Sequence, residues 1–462
     1  MNLSINESQA IELTDILKKS AEIVQLFTDN KVPKETLLEE VSYLEGRDWA
    51  KENMFNKLLG YSVLGDAYCA LKTKCLSCEQ SYYNEEYVYK EISYYHNVHY
   101  VVSKVMRTEY VALYATAMRT GFRAYLCLAN AYDHQGRFCE AQQYYHLASK
   151  DIHNVKDVEI NQALSYANMH SYWVNEEPWI VRRAQILMNK YSQDIDQCTP
   201  GLRLCINSMS TPQSEPPTVN FTNLANGHYE KWVNENYLRV NRYCDVDYNS
   251  ELSILDNVVF PNIQGPRDRK ELFASLYEEI FQTFLCTRKL LYRSMEKKTP
   301  LHNELLKMVY KNFYSILDKI AMCVGLYLQL PIKNRDMDFL KIWRGMKLHE
   351  IRPEILSQKG NISLVALFNI KLDVYGSDMP GFVMDEQTKD LKTIRNYIEH
   401  RFVNINETSI NITEEQLTLS KNELFLNSIR LAQLVRCAII YLCNFVMHAE
   451  YDKQCIKRES CS

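Results

Sequence analysis

Apolar residues recur at helical spacing through most of this chain. The run "DRKELFASLYEEIFQTFLCTRKLLYRSM" (268–295) carries them at i, i+3, i+4 and i+7, the stripe of a helix with one buried face. "LHNELLKMVYKNFYSILDKIAMCVGLYLQL" repeats the pattern after Thr299 and Pro300, where a proline without an N–H starts a helix at no cost in hydrogen bonds. Two more helices are predicted, one over about 386–402 and a long one over 421–449. Between them and the first pair lies a loop-rich insert, 331–385, with a short helix near "ISLVALFNIKLDVY". Helices of this number and length predict a bundle over 266–462.

The first 195 residues also read as a series of helices. In "AYLCLANAYDHQGRFCEAQQYYHLASKDIH" (124–153), Tyr125, Leu128, Ala129, Tyr132, Gly136, Ala141, Tyr145 and Ala148 fall on the spacing of a tetratricopeptide repeat. The alanines sit where two helices approach closely, and Gly136 sits at the turn between them, where positive φ is cheap. His153 departs from the proline usual at that position. "LLGYSVLGDAYCAL" (58–71) is an earlier echo, and a weaker third hairpin runs through "NQALSYANMHSYW" and "EPWIVRRAQILMNKY". Residues 1–195 are therefore expected to form a repeat-like array, a platform that binds a protein partner or restrains an active site. Residues 196–265, opened by "STPQSEPPTVN", break the helical period and are expected to be a structured linker packing across both halves. The fold class is all-α.

Composition narrows the partners. Only 13 Gly and 12 Pro occur in 462 residues, which favours long helices over many tight turns. A net charge of −4 leaves no global excess of Lys and Arg for extended duplex binding, so a nucleic-acid contact is expected to be local. The 14 Cys show no regular framework, and the N-terminal residues lack the apolar core of a signal peptide. The most apolar run, "LAQLVRCAIIYLCNFVMHAEY", is interrupted by Arg436 and falls short of about 18 clean apolar residues. These features predict a cytoplasmic protein with reduced cysteines and no membrane partner.

The chemistry concentrates in "LKTIRNYIEHRF" (391–402). On a helix Asn396 and His400 are i, i+4 neighbours, Glu399 joins their stripe, and Arg395 lies about 100° round from Asn396. Arg can grip a phosphate with two parallel hydrogen bonds, and His can move a proton near neutral pH. That set suits metal-free RNA cleavage by an attacking 2′-OH. The competing interpretation is an ordinary solvated Arg395–Glu399 pair with a neighbouring His. Other constellations are weaker. Cys75 and Cys78 followed by His96 and His99 have poor zinc spacing. Asp245, Asp247 and Asn249 alternate as in a calcium loop, but Ser250 replaces the turn Gly and Asp256 the bidentate Glu. Gly376-Ser377 lacks the paired acids of a nucleotidyltransferase, and no Walker loop, Gly-x-Gly-x-x-Gly or His-Glu-x-x-His occurs. No cofactor or metal is implied.

Arg395, four residues, then His400, with a polar Asn396 directly after the Arg and apolar flanks, resembles the Arg-x4–6-His signature of HEPN domains (higher eukaryotes and prokaryotes nucleotide-binding). The preceding repeat-like helices, and "KWVNENYLRVN" (231–241) with Asn241 and Asp245 beyond it, resemble one branch of that family and its linker, although the Pro usual in the strip is missing here. The resemblance implies an all-α domain and a metal-independent endoribonuclease, often a toxin or an effector of antiviral defence. It implies a homodimer through the C-terminal bundle, in which two motifs share one cleft. Arg395 would bind phosphate, His400 would be the acid/base group, and Asn396 would orient substrate or His. Glu399 and Arg401 would support them. The position two residues after the His, a Tyr in some relatives and modified there with AMP, is Phe402. The alternative is a non-catalytic protein whose repeats bind a protein and whose bundle binds RNA or a nucleotide.

Overall fold

The structure, a computed structural model, describes residues 7–75, 86–105, 111–150, 155–173, 178–295, 300–345, 351–358, 360–376, 386–406 and 411–461. These residues divide into two compact units. One holds the described residues within 1–134, 144–159 and 377–387, the other those within 135–143, 160–376 and 388–462.

The first unit is built from α1 (Glu7–Thr28), α2 (Lys34–Glu45), α3 (Met54–Cys75), α4 (Glu86–Val105) and α5 (Val111–His134). α3 packs on α1, α2 and α4, and α4 packs on α5. Leu13, Leu17, Leu37, Leu44, Leu64 and Leu71 form much of one core. Close approach between α3 and α4 needs Gly65, where a Cβ would lie 2.6 Å from the Tyr95 ring. The abundant tyrosines serve as half-polar core residues. Glu45 accepts hydrogen bonds from Tyr68 (2.8 Å) and Tyr94 (2.7 Å), whose rings stack at 5.8 Å.

α5 ends at His134, Gly136 takes φ +71°, and α6 (Phe138–Ala148) begins two residues later. Gly136 thus forms the turn between two consecutive helices. A Cβ on Gly136 would also meet Ile362 at 2.3 Å.

Then follow α7 (Val155–Tyr172), α8 (Pro178–Lys190), α9 (Ser192–Cys198), α10 (Leu202–Asn207), α11 (Gly227–Glu235), α12 (Arg267–Arg293), α13 (Pro300–Tyr327), α14 (Pro353–Leu356), α15 (Ile362–Tyr375), α16 (Glu386–His400) and α17 (Lys421–Cys461). In the second unit α17 is the central rod, packed on α12, α13 and α15. Every residue of α15 is buried, so the short helix expected inside a loop-rich insert is a core element of the bundle. Two of its polar members have partners: Asp373 meets Arg137 at 2.6 Å and the Asn369 amide nitrogen donates to the Val365 carbonyl at 3.0 Å. By length and composition Lys421–Cys455 could cross a membrane, yet 83% of its most apolar window is buried inside the protein. It is the core helix of the bundle.

α16 stops at His400 rather than running on to 402. A small sheet follows: β1 (Phe402–Asn406), β2 (Asn411–Ile412) and β3 (Gln416–Ser420), in the order β1-β3-β2. β1 pairs with β3 in parallel, from Phe402 opposite Gln416 to Asn406 opposite Ser420, while β2 is antiparallel to β3. The helical reading placed no strand here. Ser420 then caps α17: its Oγ accepts from the Glu423 N–H (3.1 Å), and its own N–H donates back to Glu423 (3.0 Å), a reciprocal pairing of two otherwise orphaned donors. The fold class remains all-α.

Residues 227–257 are held to the bundle by buried arginines. Arg436, fully buried in α17, donates Nε to the Arg239 carbonyl (2.7 Å), meets Asp245 at 2.6 Å, and also donates to the Asn241 carbonyl. Asn241 donates to the Leu252 and Leu255 carbonyls at 2.7 and 2.9 Å. Arg288 clasps both Asp256 oxygens at 2.8 and 2.9 Å, and Arg239 adds a third contact at 3.1 Å. Burial pushes the Asp245 carboxyl up, while Arg436 and a Gln143 hydrogen bond pull it back. Burial also works against the Asp256 charge, but Arg288 and Arg239 overcome it and hold that carboxyl below its ordinary value.

Breaking a buried ion pair from one side leaves an uncompensated charge, at a cost of about 3–5 kcal/mol. Arg436→Met should lose that much in urea unfolding, and Arg436→Met combined with Asp245→Leu should recover most of it. Stability from the Asp256 carboxylate is present above about pH 4 and is lost as pH falls through its depressed folded value. The free-energy gap between the parent and Asp256→Asn, measured by unfolding at pH 7 and pH 3, should therefore narrow at the lower pH.

Candidate active site

The rotation of α16 is set by its buried side. Leu391 and Ile394 are buried, and the Leu391 carbonyl accepts hydrogen bonds from two tyrosines of α13, Tyr310 at 2.9 Å and Tyr314 at 3.2 Å. With that side fixed, Arg395 falls at the edge of the core. Its side chain is 27% exposed, and its guanidinium lies 5.4 Å from the Tyr314 ring centre and 5.3 Å from that of Tyr375. Two aromatic faces hold a cation by their quadrupoles and limit its rotation.

One turn further on, Glu399 links the motif. The same Glu399 oxygen lies 3.2 Å from an Arg395 Nη and 3.7 Å from His400 Nε2. His400, the last residue of α16, is 69% exposed. The structure thus brings Arg395, Glu399 and His400 together, with a fixed cation on the inner side and an imidazole in water on the outer side. Arg395 Nε is buried and makes no hydrogen bond among the described residues, so an incoming anion would meet the Nη groups. Since a guanidinium carries five N–H donors, contact with one Glu399 oxygen leaves others for an incoming anion. Asn396 is exposed on the same helix. Arg401 is exposed and lies over the Tyr397 ring at 5.7 Å, outside the Arg395–Glu399–His400 contacts. Tyr397 donates its hydroxyl to the Thr413 carbonyl and ties α16 to the small sheet.

Residues that the pattern alone did not single out complete the setting. Tyr314, Tyr375 and Asp318 come from α13 and α15. Asp318 accepts the Phe339 N–H at 3.0 Å; burial pushes its carboxyl up, while that N–H and Arg395 pull it down. The i, i+4 spacing of Tyr310 and Tyr314 was visible, but which helix they face depends on packing.

The other candidates have different partners. His96 Nε2 is 2.6 Å from the Tyr132 hydroxyl and His99 packs on the Tyr125 ring; Cys78, the Cys75 side chain and Ser377 lie outside the described residues. Among the described residues no group of three His, Cys, Asp or Glu is placed to hold a metal. In the calcium-like run, Asp245 faces Arg436, Asp247 faces Arg183 at 2.8 Å, and Asp256 faces Arg288.

Residues 265–450 match the LA2681-like HEPN family, so this segment is a HEPN domain, of a kind associated in general with nuclease-like or nucleotide-binding activity. No curated protein and no solved structure matches the chain.

A half-exposed ion pair and a solvated imidazole contribute little to stability. Arg395→Met and His400→Ala should each shift the urea unfolding free energy by no more than about 1.5 kcal/mol. A loss as large as that at Arg436 would mark Arg395 as a structural residue instead.

Proposed function

We propose that this chain, with a HEPN domain over residues 265–450, is a metal-independent endoribonuclease. The observation that carries the reading is the Arg395–Glu399–His400 chain of contacts, half-buried at one end and open to water at the other. An imidazole in water can exchange protons with substrate, and a guanidinium braced by two rings can meet a phosphate without first being ordered.

In the proposed reaction His400 Nε2 takes the proton from a ribose 2′-OH. The freed oxygen attacks the adjacent phosphorus, the P–O5′ bond breaks, and the departing oxygen takes a proton from solvent water to become a 5′-hydroxyl. The other product is a 2′,3′-cyclic phosphate. Arg395 stabilises the charge that builds on the phosphoryl oxygens. Glu399 holds Arg395 and His400 in register in the free protein and yields its guanidinium contact to the phosphate. Asn396 orients the ribose-phosphate, and Arg401 steers neighbouring phosphates. The N-terminal helices serve as the sensing or restraining part of a cytoplasmic toxin or defence effector, and a second copy of the bundle completes the cleft.

The test is RNA cleavage in EDTA. Each of His400→Ala and Arg395→Ala should lower the rate at least about 100-fold, the usual scale for one general acid/base group or one charge-stabilising donor, without unfolding the protein. A variant that cuts like the parent overturns the assigned roles. Intact RNA together with measurable RNA or nucleotide binding would establish the non-catalytic alternative.

A further inference from the structure

Arg137 stands just before α6, outside the matched segment 265–450. Residues 135–143 nevertheless belong to the same compact unit as the bundle. Arg137 is fully buried and joins two acids. Its Nε and one Nη donate to the same Glu140 oxygen at 2.9 and 2.8 Å, and that Nη also meets Asp373 of α15 at 2.6 Å. Glu140 in turn accepts from the Tyr441 hydroxyl of α17. The neighbouring Gly136 sits against the other end of α15, since a Cβ there would lie 2.3 Å from Ile362, the first residue of that helix. Two consecutive residues thus hold α15 near both its ends.

The hold at the C-terminal end of α15 bears on the site. The last turn of a helix has carbonyls without intrahelical donors and opens first. α15 ends at Tyr375, with Gly376 at φ +74° beyond it, and this turn carries the ring that lies 5.3 Å from the Arg395 guanidinium. Asp373 and Tyr375 are two residues apart, so their side chains leave the helix about 160° from one another. One meets Arg137 and the other meets Arg395. The Arg137–Asp373 pair therefore anchors the turn from the side opposite the site. Such a buried pair resists displacement, because pulling it apart leaves an uncompensated charge. If the turn is free to withdraw, Arg395 loses one of the two rings that hold it. We propose that Arg137 is a positioning residue for Arg395, acting through Asp373 and Tyr375. The turn between α5 and α6 is then part of the site. Its effect on catalysis rests on the ribonuclease reading of the Arg395–His400 pair; its hold on the Arg395 side chain does not.

Phenylglyoxal labelling of the full chain, resolved by residue with mass spectrometry, reads the guanidinium directly. Asp373→Asn keeps Arg137 paired with Glu140 and so leaves no uncompensated arginine in the core. It should speed labelling of Arg395 roughly 2- to 5-fold, the scale of one lost ring contact, and leave the buried Arg288 and Arg436 as slow as in the parent. Arg137→Lys, which keeps the charge but not the forked reach to two carboxylates, should do the same. So should Tyr375→Ala, and adding Asp373→Asn to Tyr375→Ala should change nothing more, because both act at one contact. Unchanged Arg395 labelling in Asp373→Asn overturns the proposal, as do additive effects of the two substitutions. Faster labelling of Arg288 and Arg436 as well would mark Arg137 as a general core residue and overturn it likewise. In RNA cleavage Asp373→Asn should lose about 10- to 100-fold in kcat, the scale of a small misplacement. A parent that cuts RNA no faster than Asp373→Asn also overturns the proposal. If labelling follows the expected pattern but the parent never cuts RNA, the positioning stands and the nuclease reading fails.

Discussion

A guanidinium sealed inside the longest apolar helix organises this HEPN domain. Arg436 is fully buried, so each of its donors needs a protein acceptor, and an isolated buried charge would cost more than the bundle could spare. The acceptors are the Asp245 carboxylate and the carbonyls of Arg239 and Asn241. An irregular segment that could not close on itself by helix or strand pairing is thereby forced into one path across the central rod. Arg288 and Arg239 repeat the device on Asp256. The alternating acids of 245–256, which resemble ion ligands in sequence, are counter-charges to arginines.

A bundle fixed in this way can place a functional helix on its outside without letting it drift. α16 has buried residues at Leu391 and Ile394 and a backbone carbonyl held by two tyrosines. The same tyrosine that positions the helix also offers its face to Arg395. Positioning and electrostatics therefore share Tyr314. The small sheet, tied to α16 through Tyr397 and to α17 through the Ser420 cap, continues that ordered surface past His400.

Much of this was legible in the chain. Long helices follow from the 3.6-residue spacing of α12, α13 and α17, and the Gly136 turn follows from a position where positive φ is needed. The Arg395, Glu399 and His400 grouping follows from helical geometry alone. What was missed shares a cause: it depends on partners far away in sequence. The run 362–375 is buried on every side and its few polar residues do not gather on one face, so periodicity could not separate a buried core helix from a minor one. The strand "FVNIN" carries a short alternation, Val403 and Ile405, that an apolar helix flank can mimic. Arg436 read as an interruption in a candidate membrane segment, because its counter-charge lies 191 residues away. Tyr314, Tyr375 and Asp318 became site residues only once α13 and α15 were packed against α16.

The central claim is that Arg395 and His400 cleave RNA by attack from its own 2′-hydroxyl, and the ends of the cut strands report on it most directly. RNA cut by the purified protein in metal-free buffer should carry 2′,3′-cyclic phosphates on the upstream fragments and 5′-hydroxyls on the downstream ones, read by mass spectrometry. Upstream 3′-hydroxyls paired with 5′-phosphates would mean that water, not the ribose, is the nucleophile, and would contradict the account.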